Sequence, residues 1–367
     1  MKSFWKRHKK LHIWFLADAC FVAAFFLLRG NRSWMNALAN HVTAPLRQAI
    51  GRICYQTDIS VMEVLGVLLV LASVLYLLWS IVSIQKAKGH RWDRTYSAIL
   101  GAGCVGLAIY AGFCLLWGVN FWIDSFQDKS GIYAEPVAQD DLKTVTEYFA
   151  QQLTAASDDV ARDENGIFAV PRTDILEKSP FVYNNLEQIF PFLEFDDPGV
   201  KAMKFSRLMS IIDFTGFYCP WTGESNVNVD SPACLLPSTV AHELAHQRGI
   251  ASEQECNFLA VLASTTSEDP AYEYAGWLLG YIHLGNALYR VDPDTYWAIR
   301  ESLPENVRAD LNENNAYWRQ FQDTVAQTVS TKIYDTSLKV YGDERGMQSY
   351  GMVVDLLVVY YKELAQN

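Results

Sequence analysis

Residues 238–249 read Ser-Thr-Val-Ala-His-Glu-Leu-Ala-His-Gln-Arg-Gly and contain the pattern H-E-x-x-H on a stretch that we expect to be helical. His242 and His246 lie four positions apart, so both imidazoles share one helical face and can reach one metal ion. Glu243 is rotated by about 100° from His242 and can hold a water beside that ion. With zinc activating the water, Glu243 would act as the general base. This stretch predicts a helix that binds a catalytic metal ion. It also determines the fold that we expect for the surrounding residues.

A catalytic zinc ion needs a third protein ligand and one open position. Gly249 stands where the helix should end and allows the chain to reverse, and Ser252 is placed to cap a second helix. Glu253 is the preferred ligand because it shares a face of that helix with Asn257, which can bond to a ligand from behind. Glu255 lies on a different face and is the alternative. The expected metal ligands for Zn²⁺ are therefore His242, His246 and Glu253, with Glu243 as the catalytic residue.

For several other residues the sequence gives weaker indications of a functional role. His283 is a possible third ligand or transition-state stabiliser, although a histidine in an aromatic, apolar helix is more often structural. Tyr350 offers a phenol to an oxyanion, but a buried structural tyrosine is more common. Residues 223–229 stand where an edge strand would bind an extended substrate. Cys219 and Cys234 would bridge only in an oxidising compartment, and free buried cysteines are the ordinary alternative.

The charge is divided unevenly along the chain. Residues 1–123 carry 13 Lys and Arg against 4 Asp and Glu, whereas residues 124–367 carry 17 against 37. The acidic second part argues against nucleic acid as a partner, because phosphate binding requires basic side chains. A basic, apolar beginning followed by an acidic, polar remainder indicates a membrane part joined to a water-exposed domain.

Three apolar stretches in the basic part are each long enough to cross about 30 Å of hydrocarbon. They cover residues 11–28, 59–84 and 96–123. A cleaved signal peptide is the alternative for the first stretch. Basic residues crowd the amino-terminal tail and the loop between the second and third spans, so the positive-inside rule places both in the cytoplasm. We expect a multi-pass protein of the cell membrane with a cytoplasmic amino terminus and an extracytoplasmic carboxy-terminal domain.

The rest of the chain reads as a linker over residues 124–136 and a mainly helical domain over residues 137–367. Short strands are expected only at about residues 211–218 and 225–229. The expected fold is a membrane-anchored, mainly α protein, with three transmembrane helices over residues 1–123 and an α+β metallopeptidase-like domain that contains a small sheet. The predicted helices of that domain cover residues 137–153, 181–190, 238–248, 252–264, 270–289, 293–302, 304–330 and 346–364.

The motif and the second helix together resemble a known family. His242-Glu-Leu-Ala-His246, followed by residues 253–260 reading Glu-Gln-Glu-Cys-Asn-Phe-Leu-Ala, resembles the zincins with a glutamate ligand, especially the ImmA/IrrE type. The whole chain, including residues 220–228 and 346–357, also resembles an uncharacterised bacterial family of three-span membrane proteins with an outer zincin-like domain. The resemblance implies a zincin-like fold, a zinc cofactor and Glu253 as ligand, but no particular substrate.

The expected function is hydrolysis of peptide bonds outside the cytoplasm by a membrane-anchored zinc metallopeptidase. Its partners would be a peptide or protein substrate and the lipid bilayer. The alternative is a non-catalytic sensor or scaffold in which a metal stabilises a zincin-like domain. An intramembrane protease is disfavoured because the motif lies far from the apolar spans.

Overall fold

The structure is a computed structural model that describes residues 2–196, 198–322, 324, 327–328, 331–332 and 350–366. The chain forms two units, and each is described by itself. The first comprises Met1–Ile50, Val61–Ile123 and Pro220–Thr222. The second comprises Gly51–Ser60, Asp124–Cys219 and Gly223–Asn367.

Three long apolar helices dominate the first unit. They are α2 (Lys9–Leu28), α5 (Val61–Lys86) and α6 (Arg91–Leu116), and each is long and apolar enough to cross a membrane. The prediction of three membrane-capable helices is therefore confirmed, which indicates a membrane protein that contacts lipid. The third helix ends at Leu116, earlier than expected, because the backbone leaves the α-helical conformation at Trp117 and continues as a 3₁₀ helix over Gly118–Trp122.

Shorter helices occupy the stretch between the first two apolar helices. These are α3 (Arg32–Leu38), a π-helical turn (Ala39–Thr43) and α4 (Ala44–Cys54), and another short helix, α1 (Lys2–Arg7), precedes the first span. Asn31 caps α3 by accepting a hydrogen bond from the backbone of Trp34 at 3.1 Å.

The second unit is mainly helical, as predicted. Its α-helices are α7 (Phe126–Ser130), α8 (Gln139–Ala156), α9 (Arg172–Lys178), α10 (Asn184–Ile189), α11 (Ser206–Ile211), α12 (Leu236–Gln247), α13 (Glu253–Thr265), α14 (Pro270–Val291), α15 (Pro293–Ser302), α16 (Glu305–Arg319) and α17 (Tyr350–Ala365). Short 3₁₀ helices cover Ser179–Phe181, Pro191–Leu193 and Ala233–Leu235. The segment expected to be a linker contains α7, whose amino terminus carries a capping box formed by Ser125 and Asp128.

A small mixed sheet accompanies these helices. It consists of β1 (Lys201–Ala202), β2 (Gly216–Cys219) and β3 (Glu224–Val227) in the order β1-β3-β2. Strand β1 pairs with β3 in parallel, and β2 pairs with β3 antiparallel. The expectation that residues 223–229 form an exposed edge strand is wrong. Strand β3 is the central strand and is buried throughout, because both of its edges are paired and both of its faces are covered.

Aromatic side chains fill the core between α8, α13, α14 and α17. Phe149, Phe258 and Tyr272 are fully buried, and each such side chain contributes roughly 1.5–3 kcal/mol through its burial. Helices α8 and α14 approach closely because Gly280 has no side chain: a Cβ there would lie 2.1 Å from the ring of Phe149. This packing fixes α13 and α14 behind the helix that carries the H-E-x-x-H motif.

Candidate metal centre

Helix α12 carries the H-E-x-x-H motif and is held in place along its length. It begins with Pro237 in its first turn, where the missing N–H costs nothing. The hydroxyl of Ser225 in β3 donates to the carbonyl of Glu243 at 2.9 Å. The hydroxyl of Tyr183 donates to the carbonyl of Ala241 at 2.9 Å. These two buried bonds fix the rotation of α12 and therefore the direction of its histidines.

The reversal after α12 is fixed by Arg248 and Gly249. Gly249 has a φ of 92°, a conformation that favours glycine, and the prediction that it ends the helix is confirmed. The Arg248 guanidinium donates to the carbonyl of Leu193 at 2.9 Å and to Glu187 at 2.6 Å. It also lies 3.7 Å from the ring centre of Tyr183. The chain is thereby directed back toward the face of α12 that carries His242 and His246.

Helix α13 begins at Glu253, as the sequence predicts. The Ser252 side chain accepts a hydrogen bond from the backbone of Glu255, which confirms the predicted N-cap. Glu253 is therefore in the first turn of α13, where the helix dipole favours a carboxylate. The cap and the preceding reversal bring this carboxylate to the two histidines.

Three potential ligand groups converge on one point. The Nε2 atoms of His242 and His246 lie 3.1 Å apart. The carboxylate of Glu253 approaches both, with Oε2 3.2 Å from His242 Nε2 and Oε1 3.4 Å from His246 Nε2. Two nitrogens and a carboxylate at this spacing form a set of donors suited to one small metal ion.

The other ring nitrogen of each histidine has a separate partner. His242 Nδ1 lies 2.9 Å from Asn257 Oδ1, and His246 Nδ1 lies 2.8 Å from the carbonyl of Ile250. Because both partners are acceptors, each Nδ1 is assigned the proton, and each Nε2 is left with its lone pair toward the shared point. This is the arrangement in which backing groups orient metal-ligating histidines.

Cys256 is a nearby residue that the sequence reasoning missed. His242, His246 and Cys256 each place one potential ligand atom within 4.8 Å of the others, a group that could hold a metal ion. Cys256 Sγ, however, lies 3.3 Å from His246 Nδ1 and 3.5 Å from the carbonyl of Ile250. The sulfur is therefore on the outer side of the His246 ring, away from the facing Nε2 atoms. Its spacing of three residues from Glu253 was the signal that could have identified it.

Glu243 lies beside this centre in a buried position. A Cβ added to Gly216 in β2 would lie 2.6 Å from Glu243 Oε1, so the strand packs directly against the carboxyl group. Its other oxygen, Oε2, has no hydrogen-bond partner among the described residues. Burial raises the pKa of the Glu243 carboxyl to about 7, although the two neighbouring histidines oppose this increase.

Charge is concentrated between His246 and Glu253. Burial alone would raise the pKa of the Glu253 carboxyl, but His246 and His242 hold that pKa well below its usual range. Burial likewise disfavours a charged His246, yet Cys256 and Glu253 raise the pKa of its ring well above the ordinary value. The buried Glu253 carboxylate therefore favours a positive charge at the inner nitrogens, where a proton and a metal ion would compete for the same lone pair.

The alternative ligand Glu255 points elsewhere. Its carboxylate accepts hydrogen bonds from the backbone of Phe126 at 3.1 Å, and from the backbone and side chain of Gln127 at 3.2 and 3.3 Å. These contacts place it at the amino terminus of α7. The structure thus brings Glu253, and not Glu255, to the two histidines.

The remaining candidates lie in different surroundings. His283 is on α14, close enough to His242 for repulsion, and burial followed by this repulsion lowers the pKa of His283 to about 4. Cys219 and Cys234 are free thiols, at the end of β2 and beside the carbonyl of Asp310 respectively. The side chain of Tyr350 lies outside the described residues.

Comparison with known proteins identifies a family without assigning a function. The search of curated proteins and the search of solved structures give no match. These two searches therefore give no support to the expected zincin-like domain. A family model described as "Protein of unknown function (DUF3810)" matches residues 39–358, which is most of the chain. The protein belongs to the DUF3810 family.

Proposed function

We propose that this protein is a membrane-anchored zinc peptidase whose second unit has a zincin-like active site. The observation that carries the proposal is the convergence of two histidine Nε2 atoms 3.1 Å apart with the Glu253 carboxylate, which lies within 3.4 Å of both. Three protein ligands leave one position open, which is typical of catalytic rather than structural zinc.

The donor set also fits the ion on independent grounds. Asn257 and Ile250 occupy the outer nitrogens of the histidines, so the inner nitrogens are available as ligands. The buried Oε2 of Glu243 lacks a partner among the described residues, and a water at the open position would supply one. Bound zinc would supply Lewis-acid activation of water and of a carbonyl group.

Glu243 would hold the attacking water and accept its proton. Because Glu243 follows His242 and lies on a neighbouring helical face, its carboxylate would not be a ligand and would be free to hold a water. The same carboxyl group would then pass the proton to the departing amine. The packing of Gly216 against Oε1 restricts the space in which the carboxyl group can move.

Strand β2 is the part of the sheet suited to an extended substrate. It pairs with β3 on one side only among the described strands, and it passes next to Glu243. A peptide that added to this edge would run beside the general base and receive main-chain hydrogen bonds. The substrate edge is therefore β2, and not the residues 223–229 proposed from the sequence.

A Glu243→Gln variant of the full chain in detergent tests this mechanism. Glutamine cannot accept the proton, so we expect cleavage of a mixed peptide library to fall by about 10²–10⁴-fold while zinc content stays the same. Glu301→Gln, the same change at an exposed position of α15, should cleave normally.

Unchanged cleavage in Glu243→Gln would contradict the assigned base. A zinc-loaded wild-type protein that cleaves nothing in the library would refute the peptidase. That result would favour the alternative, a sensor or scaffold in which the metal stabilises the second unit.

A further inference from the structure

The first unit contains a cavity of about 320 Å³ between its three long helices. Its lining comes from one end of the bundle, where α2 and α6 begin and α5 approaches its end. The apolar lining is formed by Leu11, Trp14, Trp79, Ala98, Gly101 and Val105. These residues make a largely apolar surface of a kind that suits a hydrocarbon chain.

Two polar side chains of this cavity have no partner among the described residues. Arg94 lines the cavity as an exposed residue, and its side chain has no ion pair or hydrogen bond with the described residues. In contrast, the nearby Arg7 forms an ion pair with Asp93 at 2.7 Å. Ser80 also lines the cavity and is only 7% exposed, and its hydroxyl has no hydrogen-bond partner. A buried hydroxyl without a partner is unfavourable by about 1–3 kcal/mol, which indicates a missing ligand.

The depth of the cavity matches one leaflet of a membrane. Arg94 and Val105 are eleven positions apart on α6, close to three full turns, so they lie on one face of the helix about 16 Å apart. The hydrocarbon core of a bilayer is about 30 Å thick, so this length corresponds to half of it. Gly101 makes room along the way and allows Tyr76 to approach α6, where its hydroxyl donates to the carbonyl of Ala98 at 2.8 Å.

We propose that this cavity is a binding site for an anionic phospholipid. The guanidinium of Arg94 would bind the phosphate, because its planar set of N–H donors matches two phosphate oxygens. Ser80 would donate a hydrogen bond to an ester carbonyl of the glycerol backbone. One acyl chain would lie along the apolar lining toward Val105. The basic residues around this end of the helices, Lys6, Lys9, Lys10, Lys86 and Lys88, add attraction for an anionic headgroup. This inference does not depend on the peptidase activity.

The test compares two lipids on the purified full chain in detergent. Phosphatidylglycerol and phosphatidylcholine with identical acyl chains are titrated, and bound lipid is measured by native mass spectrometry. We expect the wild type to bind phosphatidylglycerol about tenfold more tightly, and Arg94→Gln to remove this preference. Arg91→Gln is the matched control, because it changes the same charge three positions away without lining the cavity.

Ser80→Ala provides a second variant that preserves the charge. Without lipid it should fold normally, because the hydroxyl has no partner to lose, but we expect its affinity for phosphatidylglycerol to fall about fivefold. Equal loss of binding in Arg94→Gln and Arg91→Gln would overturn the proposal by showing only general charge attraction. Equal affinity of the wild type for both lipids would overturn it as well.

Discussion

At the scale of single residues, the central question is which side chain would complete the proposed metal site with His242 and His246. Glu253 approaches the facing Nε2 atoms, whereas Cys256 lies against the outer Nδ1 of His246. A single imidazole cannot direct both nitrogens at one ion, so the two candidates belong to different sides of the ring. Geometry therefore favours the carboxylate as the ligand.

A Cys256→Ala variant separates these two possibilities. We expect it to retain the metal content of the wild type, because the thiol does not face the shared point. Its stability should fall by about 1–2 kcal/mol through the small cavity left in the core, measured by thermal unfolding of the metal-loaded protein. A variant that folds but loses its metal would instead identify Cys256 as the ligand.

At the scale of secondary-structure elements, β2 matters because it packs against Glu243, the proposed general base. In a Gly216→Ala variant the added Cβ would lie 2.6 Å from Glu243 Oε1 and force the carboxyl group to move. We expect peptide cleavage to fall by about 100-fold, since displacements of about 1 Å have such effects, while zinc content stays the same. Zinc content and cleavage rate are measured on the same preparation.

Gly351→Ala is the matched control for this strand variant. Gly351 is exposed on α17, where an added Cβ meets nothing within 4 Å, so cleavage should not change. A Gly216→Ala variant as active as its control would show that the contact between β2 and Glu243 does not position the base.

Much of this element-scale description could be predicted from the sequence. The helix that follows the motif begins at Glu253 because Ser252 is a strong local cap, and Gly249 ends the preceding helix because its φ of 92° favours glycine. Such signals lie within a few residues of the feature that they control. These local signals are sufficient to predict that Glu253 lies close to the two histidines.

The order of the strands could not be predicted in this way. Strand β3 has the length and alternation of an edge strand, but β1 pairs with it from about 25 residues earlier in the chain. The two-residue β1 carries no strand signal of its own. The position of Cys256 on the outer side of His246 was equally hidden, because it depends on how α13 rotates against α12.

At the scale of the whole molecule, the charge distribution makes a prediction about topology. The basic residues of the amino-terminal tail and of residues 86–94 favour a cytoplasmic location for both. Three spans then place the carboxy terminus outside. A reporter that is active only outside the cytoplasm should therefore be active when fused after Asn367 and inactive when inserted between residues 86 and 94.

The opposite pattern of reporter activity would contradict this topology and would show that the second unit lies in the cytoplasm. The metal chemistry proposed for His242, His246 and Glu253 would survive that result, because it depends only on the local geometry of the second unit. The substrates would then have to be cytoplasmic peptides.

The most direct test of the metal centre is the zinc content of the purified full chain and of two glutamate variants. We predict about one zinc ion per wild-type chain, and loss of most of it in Glu253→Ala because two histidines alone do not hold a stable catalytic ion. Glu255→Ala should keep its zinc but unfold more readily, since the backbone N–H groups of Phe126 and Gln127 lose their acceptor. Full zinc content in Glu253→Ala together with its loss in Glu255→Ala would contradict the assignment.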